Sequence, residues 1–269
     1  MFLKSLRLAL KLLIFIFLTV ITQIGGIIYV FTELLFKRHS KFYLLKKLFV
    51  FLFLYLSAFF FLVPNVAKYF GREPIIENHR IQAHTLLTKI LNRNYVTTDF
   101  QGVLQSISTD FQKKHQGIKL IYLDANFPFF DGFPLFPHLS HNDGKKLDIS
   151  FIYELPNSTV TNKKPTISGY GFFENPEKTE FNQTKDCLDN GHLQYDITKY
   201  ITLGTINKDL KLSEKATKDL LLSIVKQKQV TKIFIEPHLK KRLKLDDQKF
   251  RFQGCHAVRH DDHIHIQIQ

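Results

Sequence analysis

Two stretches of unbroken apolar residues open the chain: LLIFIFLTVITQIGGIIYVFTELLF from Leu12 to Phe36, and LFVFLFLYLSAFFFLVPNVA from Leu48 to Ala67. Each reaches the roughly 20 residues that crossing a bilayer requires. A cleaved signal peptide would be shorter, would end at a small-residue cleavage site and would not be followed at once by a second run. A buried hairpin of a soluble core would not stay apolar on every face. The pattern predicts a transmembrane hairpin over residues 1–67, with spans at about 12–36 and 48–67.

Beyond it the pattern becomes amphipathic. Residues 68–79 read as a juxtamembrane linker. Ile81, Ala83, Leu86, Leu87, Ile90 and Leu91 suggest a helix, and a second, capped by Asp99, carries Phe100, Val103, Leu104, Ile107 and Phe111 to a stop at Gly117. IKLIYL (118–123) and LDISFIY (147–153) read as strands around the Gly/Pro/Phe-rich loop DANFPFFDGFPLFPHLSHNDG. A loop of that length in a compact domain is often functional. A helix over 213–227, a strand VTKIFIEP stopped by Pro237 and a last strand in the tail complete the chain. This irregular alternation predicts an α+β fold, an antiparallel sheet with flanking helices. Residues 68–117 form the linker and its helices, and 118–269 the main domain.

Charge bears on partners. The net charge is +13, but residues 1–75 hold ten Lys/Arg and two acids, leaving +5 for the rest. The basic excess flanks the apolar runs, and the soluble part has no basic stripe interleaved with aromatics. Nucleic-acid binding is therefore set aside. KRHSKFYLLKK carries Lys37, Arg38, Lys41, Lys46 and Lys47, against Lys4, Arg7 and Lys11 at the N-terminus. Basic short loops stay cytoplasmic. The expectation is a cell (inner) membrane protein with the hairpin loop inside, both termini outside, and residues 68–269 in the periplasm or outside the cell. Cys187 and Cys255 are the only cysteines. They either pair, closing a long loop worth ~2–4 kcal/mol, or are two unrelated buried thiols; both stay open.

Candidate chemistry sits in the tail, RHDDHIHIQIQ. In a strand, His263 and His265 project together while Ile264, Ile266 and Ile268 face a core. Asp148 mirrors them on the strand after the long loop, with Leu147, Ile149 and Phe151 on its other face. If the two strands are neighbours, His141, Asp148 and His265 converge: two imidazoles and a carboxylate, the ligand set of a catalytic zinc site with a fourth position open. The bland alternative is a solvent-facing edge strand that happens to carry histidine.

SHNDGKKLDI (140–149) resembles the S-x-H-x(6)-D signature of the metallopeptidases that include lysostaphin, the D-Ala-D-Ala peptidases and the hedgehog amino-terminal domain. HDDHIHI (260–266) is similar to the H-D-D-H-x-H-[VI] ending of the penicillin-insensitive murein endopeptidase branch. The resemblance covers about residues 118–269. It implies a single zinc site on His141, Asp148 and His265, with His263 as catalytic base and His260 stabilising the transition state. The substrate implied is a peptidoglycan stem or cross-link peptide, hydrolysed by a zinc-activated water. Endopeptidase and carboxypeptidase action stay open, as does the oligomeric state. Two departures bear on the substrate: Gln267 stands where that branch usually has Arg, and the chain has no tryptophan. A ligating histidine usually gives its second N–H to a carboxylate or carbonyl; Asp261 and Asp262 are both available.

Two rival readings share part of this pattern. A non-haem iron enzyme also uses two histidines and a carboxylate, but at a closer His-x-Asp spacing. A catalytically silent cell-wall-peptide binding protein would keep the fold, yet every matched ligand and base position is intact here.

Overall fold

The computed structural model describes residues 2–36 and 42–269. The first apolar run is not one helix. α1 (Phe2–Thr22) stops at Gln23, whose φ of +66° breaks the helical path, and α2 (Gly25–Leu35) folds back along α1. The close approach needs glycine: a Cβ on Gly26 would collide with Thr19 Oγ1 and the Phe15 carbonyl. The helices long and apolar enough to cross a membrane are Phe2–Thr22 and the stretch Tyr43–Phe70. The latter comprises α3 (Tyr43–Ser57), a π turn (Ala58–Leu62), α4 (Val63–Ala67) and a short 3-10 turn (Lys68–Phe70). Pro64 lacks an N–H and crowds the carbonyl four residues back, which accounts for the π turn. Two candidate spans stand, with boundaries shifted from those expected.

The fold-back changes the topology. Lys11 lies 2.5 Å from Glu33 of α2, and Lys47 pairs with the same carboxylate. Lys4 and Arg7 line the same depression. Lys37, Arg38 and Lys41 lie outside the described residues. At the other end Asn92 Nδ2 donates to the Thr22 carbonyl (3.2 Å), and Tyr55 OH donates to the Ile90 carbonyl (2.6 Å). The start of the chain and the domain therefore occupy opposite ends of the helical bundle. A simple hairpin would have put them at the same end; α2 makes the difference.

The domain begins earlier than residue 118. β1 (Arg72–Pro74) pairs with β3 (Tyr95–Thr97), and β2 (Ile81–Ala83) leads into α5 (Leu86–Ile90) and α6 (Thr98–Gln112). The helix expected from Ile81 thus splits: Ile81 and Ala83 alternate in a strand, and helix starts only after the Thr85 cap. α6 is capped by the Thr97 hydroxyl, which accepts the Phe100 N–H, and not by Asp99. β4 (Leu120–Tyr122), β5 (Lys146–Ser150), β6 (Tyr153–Glu154), β7 (Val160–Thr161), α7 (Gln183–Asp189), β8 (Lys211–Leu212), α8 (Glu214–Val225), β9 (Val230–Phe234), α9 (Pro237–Arg242), β10 (Phe250–Arg251) and β11 (His263–Ile268) follow.

The main sheet runs β10-β9-β11-β5-β4-β2. Its three central pairings are antiparallel, as expected for α+β, while the two outer pairings are parallel. β2 belongs to this sheet. Phe100, Leu104 and Ile107 of α6 share one core with Leu147, Ile149, Ile264 and Ile266. Residues 72–117 are therefore part of the same domain. Cys187 and Cys255 form a disulfide tying α7 to the loop after β10.

Candidate metal centre

β11 lies inside the sheet, hydrogen-bonded to β5 on one side and β9 on the other. The tail is therefore no solvent-facing edge strand. Its register sets His265 directly opposite Asp148, where antiparallel partners bring their Cβ atoms to ~4.5–5.5 Å. Both faces of the strand are buried: the isoleucines in the core, and His263 and His265 against the loop before β5.

That loop supplies the third group. Gly144, at φ +79°, turns the chain between His141 and Asp148, and a Cβ there would press on Arg72 and Thr97. His141 Nε2, His265 Nδ1 and Asp148 Oδ1 then meet at 3.0, 2.8 and 3.1 Å from one another. A tetrahedral ion with bonds of ~2.0–2.1 Å holds its ligand atoms about 3.3 Å apart, so a small outward shift of the three atoms would seat an ion between them. His141 Nδ1 is 2.6 Å from the Ala125 carbonyl. This bond fixes the proton on Nδ1 and leaves Nε2 with a lone pair for the cluster. The ring Nε2 of His265 meets the side-chain amide of Gln267 at 3.1 Å. These buried His/Asp groups fit a metal ion.

His263 stands beside this trio with a different set of contacts. Its Nδ1 is 2.5 Å from Asp262 Oδ1, and Asp262 Oδ2 accepts the Gly171 N–H at 2.6 Å. The other nitrogen, Nε2, is buried without a hydrogen-bond partner, 3.6 Å from Asp148 Oδ1. Asp262 is thus the carboxylate that orients His263, whereas Asp261 pairs with Arg259 (Nε, 2.6 Å). Neither aspartate reaches a nitrogen of His141 or His265 through any hydrogen bond among the described residues. His260 packs its ring 4.9 Å from that of His263, and its backbone N–H donates to Glu236 Oε1 at 3.0 Å.

The structure adds residues that sequence reasoning passed over. His138 brings Nδ1 within 2.9 Å of Asp148 Oδ2, though not aligned as a hydrogen bond, and with Asp148 and His263 forms a second group that could hold an ion. Tyr170 OH donates to the same oxygen at 2.9 Å. Asp148 therefore turns Oδ1 to His141 and His265, and Oδ2 to His138 and Tyr170. The HLSH spacing was one legible sign of His138. Tyr170, between Gly169 and Gly171, carried none.

Electrostatics sorts the imidazoles. Burial would raise Asp148, but His141, His263 and His138 around it hold its carboxyl well below the usual range. Burial lowers His265 to about 4 despite Asp148, and holds His260 well below its ordinary value. Burial would lower His263 and His138 too, yet Asp148 and Asp262 lift His263, while Asp148 and Asp124 lift His138 to about 9. One carboxylate thus sits among groups of opposite tendency, an arrangement typical of acid–base sites. No family model matches this chain, and no curated protein matches it.

Proposed function

We propose that the protein is a membrane-anchored, zinc-dependent peptidase acting on peptidoglycan stem or cross-link peptides. The observation that carries this reading is the convergence of His141 Nε2, Asp148 Oδ1 and His265 Nδ1 beside the unpartnered, Asp262-oriented Nε2 of His263. Two imidazoles, one carboxylate and an open position are the donor set of catalytic zinc. The resemblance of the two motifs to murein endopeptidases supplies the substrate class. When bound, the ion would supply Lewis acidity and an activated water.

The chain's own residues do the rest. His263 Nε2 takes a proton from the attacking water and delivers it to the leaving amine, work worth ~10²–10⁴ in rate. Asp262 holds the tautomer that makes this possible. His260 hydrogen-bonds the developing oxyanion. His138 and Tyr170 keep Asp148 turned so that Oδ1 faces the ion.

The proposed compartment is the periplasm or cell exterior. Two features favour it: the Cys187–Cys255 disulfide, which suits an oxidising space, and the clustering of Lys4, Arg7, Lys11 and Lys47 at the end of the bundle away from the domain. The test is incubation of the full-length protein, in detergent, with purified peptidoglycan and mass analysis of the released muropeptides. New peptide termini that vanish with chelator and return with zinc support the proposal. An intact, zinc-loaded protein that binds the peptides without cutting them would make it a cell-wall-peptide binder, and activity restored by iron alone would exclude zinc.

A further inference from the structure

A cleft of about 260 Å³ lies between the end of α1 and two residues, Asp124 and Tyr170, that back the metal centre. Val20 and Ile21 of the last turn of α1 line it together with Leu87, Phe136 and Leu203. Its polar lining includes Asp124 and Tyr170. Tyr170 OH is bonded to Asp148, and Asp124 lies 3.6 Å from His138. The apolar lining lies partly at the surface: Leu203 is 62% exposed, Phe136 56% and Leu87 48%. α1 itself presents Ile16, Phe17 and Val20 outward, as a lipid-facing helix does.

A peptide arriving from water has no need of an apolar wall built from the end of a membrane span. An amphiphile does: its chain stays in contact with α1 while its polar part reaches Tyr170 and the histidines. A channel of this size, apolar on the membrane side and polar beside the cluster, matches one hydrocarbon chain with a hydrophilic head. We propose that the cleft takes the hydrocarbon chain of a membrane lipid that carries the scissile peptide, so that substrate reaches the metal centre from the bilayer. The inference deepens the peptidase reading and rests on it for the fate of the peptide.

The experiment uses full-length protein in liposomes of phosphatidylethanolamine and phosphatidylglycerol. Two peptides are compared, identical except for an N-terminal palmitoyl chain bearing a diazirine. With the metal stripped by EDTA, illumination should label the segments containing Leu87, Phe136 and Leu203. Leu87→Asp and Leu203→Asp, at positions 48% and 62% exposed, should remove most of that labelling. With zinc restored, the lipidated peptide should show a KM about tenfold lower than the free one, because a chain held in the cleft raises the effective concentration of its peptide at the centre. The same two substitutions should erase that advantage and leave free-peptide turnover unchanged. Labelling confined to the outer faces of α1 and α3, or equal KM values for the two peptides, overturns the proposal. Labelling of the cleft in a zinc-loaded protein that cuts neither peptide upholds the lipid site and removes the peptidase reading instead.

Discussion

The two halves of the metal cluster are held by different means. His263 and His265 stand on β11, bonded along both edges, with Ile264, Ile266 and Ile268 sunk in the core. His138 and His141 stand on the irregular segment between β4 and β5, which has no ladder of its own. Its backbone groups must find partners one by one, and many of those come from the N-terminal part of the chain. Arg72 Nη1 donates to the Phe127 and Phe129 carbonyls at 2.7 and 2.9 Å, and Nη2 to the Asn142 carbonyl and to Asp131. Arg93 donates to Asp124 and to the Phe136 carbonyl. Gln23, at the turn between α1 and α2, bonds Phe129 twice. The strand half of the site needs only the sheet. The loop half also needs the anchor, which gives residues 1–117 a part in shaping the site.

Asp148 belongs to both halves, so its loss should be the largest effect. Asp148→Ala should abolish metal binding and activity together, measured as metal content after desalting. His263→Ala should keep the metal and lose ~10²–10⁴ in turnover, since Nε2 of His263 stands outside the closest trio. If His263→Ala emptied the site while His265→Ala left it filled, the roles within the strand half would be exchanged.

Deleting Ile266 to Gln269 attacks the strand half without touching a histidine. It removes two buried isoleucines, about 3–6 kcal/mol together, and the ladder bonds below His265. Melting of the full-length protein in detergent should fall by roughly 10 °C or more, and metal affinity should fall sharply, because sites tolerate displacements of only about 1 Å. Unchanged values would mean that β11 owes its place to the histidines and not to its core face.

Arg72→Ala attacks the loop half. It strands the Phe127 carbonyl at ~1–3 kcal/mol and takes one of two donors from the Phe129 and Asn142 carbonyls, and Arg72→Lys should rescue little, because an ammonium cannot span the fork of acceptors. Hydrogen exchange should quicken over residues 127–142 and stay slow over 263–268. Equal quickening in both would erase the distinction between the halves.

The same contrast governs what was legible in the sequence. β11 and β5 announced themselves by alternation, and the meeting of His265 with Asp148 was expected only on the condition that the two strands were neighbours, which the register supplies. The anchor's reversal did not, because a run apolar on every side has no period to show where it turns. Thr22 and Gln23 mark the turn, and their role is fixed by partners distant in sequence, Asn92 and Phe129. Ile81 and Ala83 fit either period over so short a stretch. His138 sits in a Pro-rich segment where side-chain direction obeys no repeat. The disulfide was open because two cysteines alone carry no geometry.

The smallest effect, and the one that tests the contrast most closely, belongs to Gln23. Gln23→Ala keeps the Cβ, so the backbone cost of φ +66° is the same in both proteins. Only the two amide bonds to Phe129, at 2.8 and 2.9 Å, are lost. At ~0.5–1.5 kcal/mol net per bond, docking of the loop against the anchor should weaken by about 1–3 kcal/mol. Phe129 is joined to His138 and His141 through a segment also held by Arg72, so only part of that loss should reach the metal. We expect affinity, measured by chelator competition on the full-length protein, to drop several-fold, with exchange faster around Phe129 and unaltered in β11. A lowered melting temperature with unchanged affinity would show that the anchor steadies the domain without shaping its site. The loop half would then owe its geometry to Arg72 and Arg93 alone.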